Sequence, residues 1–419
     1  MNLLFLQSMH TIYNLSIHLA SFGLRIVALF NEKMKLFVNG RKNVFEILQQ
    51  KISSSDKTIW FHCASLGEFE QGVPIMEEMK KLKPGHKIVV SFFSPSGFEI
   101  KKNTKLADVV VYLPMDTQAN AEKFISAIHP SIAFFVKYEF WPNYLFELQK
   151  KQIPTLLISG VFREKQIFFK SYGGFMRKAL TAFDHFFVQD ENSEALLKSI
   201  GFNNITVSGD TRFDRVSHQI EMDNSLKFAE EFKGNSVCII CGSTWPEDET
   251  VLLDYINSSP NNVKFIIAPH KIESENIEDF TKKINKKTLL HSHKDEVNIS
   301  EYEVLIIDCI GLLSKLYSYA DIAYVGGAMG KTGLHNILEP ATFGVPIVIG
   351  KNYEEFPEAI RLRDLAGLFP IENKEECSSI LEKLVNDSNF RNKTGMISGH
   401  FVNKNTGATK KILNYILKL

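Results

Sequence analysis

Cysteine is scarce in this chain: five among 419 residues, scattered and odd in number. That pattern gives no disulfide framework and points to reduced thiols. Cys238 and Cys241 form a C-x-x-C, but inside an apolar run, SVCIICG, with no second Cys or His pair after it. Buried core thiols explain it better than a metal site. An excess of charge of either sign is also missing, with 48 Lys+Arg against 48 Asp+Glu. Nothing global therefore argues for nucleic acid as a partner. No G-x-G-x-x-G follows the first expected strand of either half, which disfavours a dehydrogenase. No Asp-x-Asp pair sits in a suitable turn, and no repeat or low-complexity tract stands out. No basic n-region or clear cleavage site opens the chain, which argues against a signal peptide. A clean membrane span is absent too. Residues 12–30, IYNLSIHLASFGLRIVALF, are long enough, but Asn14, Ser16, His18 and Arg25 interrupt them.

That interrupted stretch is followed at once by Lys33, Lys35, Arg41 and Lys42. An apolar face with a trailing cationic cluster suits a helix lying in an anionic membrane surface. The competing reading is an amphipathic helix docked on its own domain; the cationic cluster favours the membrane. From residue 57 the pattern becomes strand, turn, helix. Strands are expected at 58–62, 87–93, 108–113, 132–136, 155–159 and 185–189. A polar, charged stretch from Gly209 marks a domain junction. A second series then runs at 236–241, 263–268, 304–308, 321–325 and 346–349, and residues 374–419 read as helical. Strands alternating with helices predict parallel sheets covered on both faces, an α/β fold. We therefore expect an N-terminal membrane-associating helix at 1–40 and Rossmann-like domains at 41–212 and 213–419. Ligands in such sheets bind beyond the carboxyl ends of the strands.

The chemistry-bearing residues fall at those strand ends. In 325–350, VGGAMGKTGLHNILEPATFGVPIVIG, a strand feeds a turn through Gly326, Gly327, Gly330 and Gly333, then a short helix. A glycine-rich turn before a helix N-terminus suits phosphate, and Glu339 can accept from a ribose diol. Tight packing alone would also use the glycines; the added HN and LEP favour a nucleotide. In 60–72, WFHCASLGEFEQG, Glu68 stands at the strand-to-helix turn as a candidate general base. It also suits a plain first-turn carboxylate with Ser65 as N-cap. In 136–144, VKYEFWPNY, Glu139 occupies a matching turn and can orient a substrate or raise the pKa of Glu68 by like-charge repulsion. A surface turn with a packed tryptophan is the alternative there. In 241–249, CGSTWPEDE, Ser243 and Thr244 are expected to cap a helix and to meet a phosphate. His270 and Lys271, after the strand at 263–268, are further phosphate candidates or simply solvated.

The ordered set HCASLGE, YEFWPN, GSTWPEDE and GLHNILEP resembles the Kdo (3-deoxy-D-manno-octulosonic acid) transferases of lipopolysaccharide synthesis. YLPMDT, VQDENSEALLKSIG and SGDTRFD match as well, so the resemblance runs from about Tyr13 to at least Glu358. It implies a GT-B glycosyltransferase architecture, two Rossmann-like domains with an interdomain cleft. It implies CMP-Kdo as donor, a lipid A precursor of the lipid IVA type as acceptor, and the cytoplasmic face of the inner membrane. It implies inversion without a metal or other cofactor. By position, Glu68 matches the family's base and Glu139 its second functional carboxylate. Ser243 and Thr244 match the donor phosphate loop, and Asn336 and Glu339 the nucleotide segment. Gly327, Gly333, His270 and Lys271 complete the expected donor set. Lys137, His270, Lys271 and Leu334 depart from the family's usual residues. The rivals are a UDP-sugar transferase or epimerase on the same fold, and a non-catalytic, membrane-anchored nucleotide-sugar binding protein.

Overall fold

The structure, a computed structural model, describes residues 3–419; positions 1 and 2 of the expected N-terminal segment lie outside it. The described chain forms two units, residues 3–215 with 406–419, and residues 216–405. Each is built on one seven-stranded sheet in which every pairing is parallel.

The first sheet comprises β1 (Lys57–Cys63), β2 (His86–Phe92), β3 (Val109–Tyr112), β4 (Pro130–Val136), β5 (Thr155–Gly160), β6 (His185–Val188) and β7 (Ile205–Val207). Their order is β3-β2-β1-β4-β5-β6-β7. Helices cover both faces, so the central strands are apolar throughout rather than alternating, as in the run IAFFV of β4. Phe61 on β1 stacks on Phe134 of β4 at 4.5 Å between ring centres, buried under the helix that follows β1.

The second sheet comprises β8 (Val237–Thr244), β9 (Val263–Pro269), β10 (Thr288–Leu290), β11 (Val304–Ile306), β12 (Ile322–Val325), β13 (Ile347–Gly350) and β14 (Leu368–Ile371). Their order is β10-β11-β9-β8-β12-β13-β14. In both sheets the first strand is internal: the chain adds β2–β3 or β9–β11 on one side of it, then crosses to add β4–β7 or β12–β14 on the other. The switch points lie between β1 and β4, and between β8 and β12. In such sheets this is where adjacent loops part and leave a crevice.

Three strands escaped the sequence reading: β7, β10 and β14. They are three or four residues long and none is buried throughout, so each leaves too short an apolar run to be seen. Two domain boundaries also change. The chain passes between units inside the helix Thr211–His218, at Arg215 rather than at 212. Residues 406–419, expected in the second domain, belong to the first unit. Asp214 holds them there, accepting from the amides of Gly407 at 2.5 Å and Thr409 at 2.8 Å. Ile412 and Ile416 of the helix Ala408–Ile416 then complete the core around Phe69 and Met76.

The N-terminal segment forms α1 (Leu3–Val27) and α2 (Glu32–Asn39), and α3 (Val44–Lys51) leads into β1. No described helix is long and apolar enough to cross a membrane. α1 is seated on the first unit by its polar residues. His10 Nε2 lies 2.7 Å from Asn143 Oδ1, the Tyr13 hydroxyl donates to Asp116 at 2.7 Å, and Asn143 donates to Asn14 at 3.0 Å. Asp116 in turn accepts from the amides of Asn143 and Tyr144, at the start of the helix Pro142–Lys150. The apolar stripe Ile12, Leu15, Leu19, Phe22 and Ile26 is left outward, 47–64% exposed. The helix is thus docked through His10, Tyr13 and Asn14, whose polar groups bond to the first unit while the rings of His10 and Tyr13 pack on Phe175, and its apolar stripe faces outward.

Candidate active site

Glu68 is the third residue of α4 (Leu66–Leu82), which starts two residues after β1 ends. Ser65 is the N-cap, and its amide donates to Glu68 Oε2 at 3.0 Å. The first-turn role foreseen for this glutamate is therefore real. It does not exhaust the residue. Glu68 is only 4% exposed, and its pKa is raised to about 7. Burial is the main cause and the nearby Glu139 charge the second; amides of Ser65 and Ala64 and the Lys137 ammonium oppose them. The like-charge effect anticipated from the sequence is thus present, behind desolvation.

Glu139 reaches Glu68 because β1 and β4 are neighbours. Their carboxyl ends sit side by side, and each is followed by a turn bearing a glutamate. Lys137, where that turn begins, takes a left-handed φ of 71°. Glu139 is itself buried, and its Oε2 accepts from Trp141 Nε1 at 2.8 Å and lies 3.3 Å from His62 Nε2. His62, at the end of β1, is fully buried, with Nδ1 2.9 Å from Ser91 Oγ. Trp60 Nε1 donates to the same hydroxyl at 2.8 Å. A chain of polar groups therefore runs from β2 through His62 to Glu139 and fixes its carboxylate. His62 was not picked out from the sequence, although it lies within the HCASLGE motif.

In the second unit the expected donor residues gather at the carboxyl ends of β8, β9 and β12. Ser243 and Thr244 are not helix caps, as expected, but the last residues of β8, with Ser243 at a φ of 55°. Trp245 is the N-cap of the helix Pro246–Ser258. Backbone pairing wins here: Thr244 accepts from the His270 amide at 2.9 Å, which extends the β8–β9 ladder. The Thr244 hydroxyl is already engaged, donating to Glu249 at 3.0 Å.

Gly327 differs from expectation too. Its amide, meant for phosphate, donates to Asp248 at 2.8 Å. It needs its positive φ of 95°, and a Cβ there would strike the Gly333 carbonyl. Asp248, which sequence reading passed over, is fully buried and ties this end of the unit together. It also accepts from the Trp245 amide at 2.9 Å and the Tyr324 hydroxyl at 2.9 Å.

Beside this anchor three rings pack together. Trp245 stacks on His270 at 4.6 Å, and His270 lies 4.5 Å from His335. Trp245 Nε1 donates to His335 Nε2 at 3.2 Å. Burial, then the His270 charge, lowers the His335 pKa to about 4, so it accepts as a neutral imidazole. Lys271 lies over the Trp245 ring at 5.7 Å. Glu339 lies in the first turn of the short helix Leu338–Thr342 and accepts from Ser314 at 3.1 Å and Asn336 at 3.2 Å. Gly333 has a φ of 92° in the loop that leads there.

Residues 39–215, which contain Glu68 and Glu139, match the family model described as 3-deoxy-D-manno-octulosonic-acid transferase (kdotransferase). A 3-deoxy-D-manno-octulosonic acid transferase of Haemophilus influenzae is 25% identical over 371 residues, covering 85% of this chain and 86% of that one. The chain resembles the Kdo transferases. A bifunctional glycosyltransferase/methyltransferase of Fusobacterium nucleatum is 26% identical over 85% of this chain, which spans 57% of that longer protein. Among solved structures, UDP-GlcNAc 2-epimerase from Neisseria meningitidis superposes with a TM-score of 0.61, covering 87% of this chain and all of the other. At 15% identity that likeness speaks for the fold alone.

The Kdo-transferase model thus falls on the unit that holds the paired carboxylates. The structure brings Glu68 and Glu139 together in that unit. In the other it gathers Ser243, Thr244, His270, Asn336 and Glu339 around Trp245 and His335. The signal that could have found His62, Asp248 and His335 was available: each lies inside a motif already noted for a neighbour.

Proposed function

We propose that this protein is an inverting glycosyltransferase that moves Kdo from CMP-Kdo to a lipid A precursor of the lipid IVA type. The observation that carries the reading is Glu68, a buried carboxyl with a pKa of about 7 in the region that matches the Kdo transferases. A group with that affinity is divided between acid and base near neutral pH, as suits a general base. In the reaction, Glu68 takes the proton of the acceptor hydroxyl as its oxygen bonds to the ketosidic carbon. The bond from that carbon to the phosphate oxygen breaks, and CMP leaves with the electron pair. Glu139, held by His62 and Trp141, keeps Glu68 basic. The second unit binds the nucleotide: Glu339 and Asn336 at the ribose, and Ser243, Thr244, His270 and Lys271 at the phosphate. Neither a metal nor another cofactor enters this scheme. Charge on the departing phosphate is met by the dipole of the helix Pro246–Ser258.

The acceptor is a lipid, so the enzyme works at a membrane surface, in this reading the cytoplasmic face of the inner membrane. The exposed stripe of α1 supports this placement. Five apolar side chains at helical spacing, with basic residues close behind, match an interfacial helix.

The test is mass spectrometry of a tetraacylated lipid A precursor incubated with the enzyme and CMP-Kdo. The expected result is a mass gain of one or more Kdo residues. Product from a UDP-sugar but none from CMP-Kdo would favour the epimerase-like reading. CMP binding without turnover on any acceptor would favour a binding protein.

A further inference from the structure

We propose that a groove beside α1 receives one acyl chain of the anionic lipid acceptor; this rests on the acceptor being a lipid, as argued above. The inward face of α1 runs through His10, Asn14, Ile17, Ser21 and Leu24, spaced by three and four residues, and Ala28 continues it in the turn just past the helix. In its first half this face is seated on Asn143 and Asp116. In its second half it lines a groove of about 920 Å³, with α2 and the turn at Pro114 and Met115 as the facing walls. That volume suits a ligand site. Leu24, Ala28, Phe37, Phe45 and Met115 form the apolar part of its bed, with the exposed Leu29 at the edge.

The rim carries one sign of charge. Arg25, Lys35, Arg41 and Lys42 line the groove, and no carboxylate does. Arg41 is committed to the fold: it donates to the carbonyls of Leu113, Phe37 and Phe93 at 2.7–2.8 Å. Lys35 pairs with Glu32 at 3.3 Å, in an exposed contact that is weak in water. Arg25 and Lys42 are exposed, and neither pairs with a carboxylate among the described residues. An apolar bed with Arg25 and Lys42 unpaired at its rim fits an acyl chain with a phosphorylated head. The exposed stripe of α1 runs alongside on the same helix, so a chain entering from a membrane surface stays against apolar side chains. Neither the bed nor the rim has a part in the chemistry at Glu68.

The probe is dodecanoyl lysophosphatidic acid below its micelle concentration, titrated into the full chain by calorimetry. Ala28→Trp should fill the groove and weaken binding at least tenfold, with CMP binding and Tm unchanged. Should Ala28→Trp lower Tm, Met115→Trp fills the groove from the opposite wall and is read in its place. Each methylene removed from the probe should cost about fourfold in affinity. Arg25→Glu with Lys42→Glu should weaken the lysophosphatidate and leave dodecanol unaffected. Binding indifferent to chain length, or unaltered by the groove-filling variant, overturns the proposal. So does an unchanged acceptor KM in that variant, while Kdo transfer itself still proceeds. Failure of the wild-type enzyme to modify any lipid would instead overturn the acceptor reading.

Discussion

Glu68 and Asp248 occupy the same place in two similar units. Each follows the first strand of its sheet, an internal one, each is the third residue of the next helix, and each accepts from the N-cap amide. Both are buried, and burial raises the pKa of both. Their other neighbours separate them. Asp248 also takes the Tyr324 hydroxyl and the amides of Gly327 and Met329, every one of which favours the anion. Glu68 faces Glu139, which disfavours it. One capping carboxylate is saturated with donors and holds a loop in place. The other is under-supplied and keeps an affinity for a proton. The same local motif serves as an anchor or, in the reaction we propose, as a base, according to what the neighbouring strand brings to it.

The largest effect that could break this contrast is on turnover. Glu68→Gln keeps an oxygen for the Ser65 amide but cannot take a proton, so kcat should fall roughly 100- to 10,000-fold. CMP affinity by calorimetry should be unchanged. Turnover within a few-fold of wild type would reduce Glu68 to the same anchoring role as Asp248. The counterpart is Asp248→Asn, which turns an amide NH2 toward donors. It should cost about 1–3 kcal/mol in urea unfolding and weaken CMP binding through the displaced Gly327 loop. A variant as stable as wild type would show that Asp248 is no anchor.

Two smaller effects sharpen the comparison. Glu139→Gln removes the like charge, so the Glu68 pKa should drop and the acid limb of the pH–rate profile should move to lower pH. A limb that stays in place would separate the two carboxylates functionally. The last effect is on stability. The folded pKa of Glu68, about 7, lies above its ordinary value of 4.5. The folded state therefore holds the proton more tightly, and this stabilisation is present below pH 4.5 and lost as pH rises through 7. Thermal melts of Glu68→Gln should lack that loss, so the variant should gain on wild type between pH 4.5 and 7. Parallel melting curves across that window would contradict the raised pKa.

Much of the fold was legible because its central strands are unbroken apolar runs and its candidate site residues stand at strand ends. Those runs are a direct consequence of sheets covered on both faces. The edge strands β7, β10 and β14 were too short and too exposed to be seen. The glutamates were legible as turn residues, and Glu139 as a perturber of Glu68. Ser243, Thr244 and Gly327 were assigned to phosphate because their motifs allow it. In the structure Ser243 and Thr244 end β8 instead of capping a helix, the Thr244 hydroxyl donates to Glu249, and Asp248 takes up the Gly327 amide.

The sequence by itself determined the two parallel α/β units, the carboxylates at the turns after 62 and 136, and an N-terminal helix with an apolar stripe. Local pattern fixes such features, since strand period, caps and turn residues act over a few positions. Tertiary structure alone decided which residues meet. It put β1 beside β4, so that glutamates 71 positions apart share one field. It sent Asp248 to the glycine loop of β12, and returned residues 406–419 to the first unit. It also seated α1 through its polar groups, because the buried Asp116 accepts from Tyr13 as well as from backbone amides. A buried carboxylate must be satisfied, and its donors come from wherever the folded chain passes, at separations that no local pattern records.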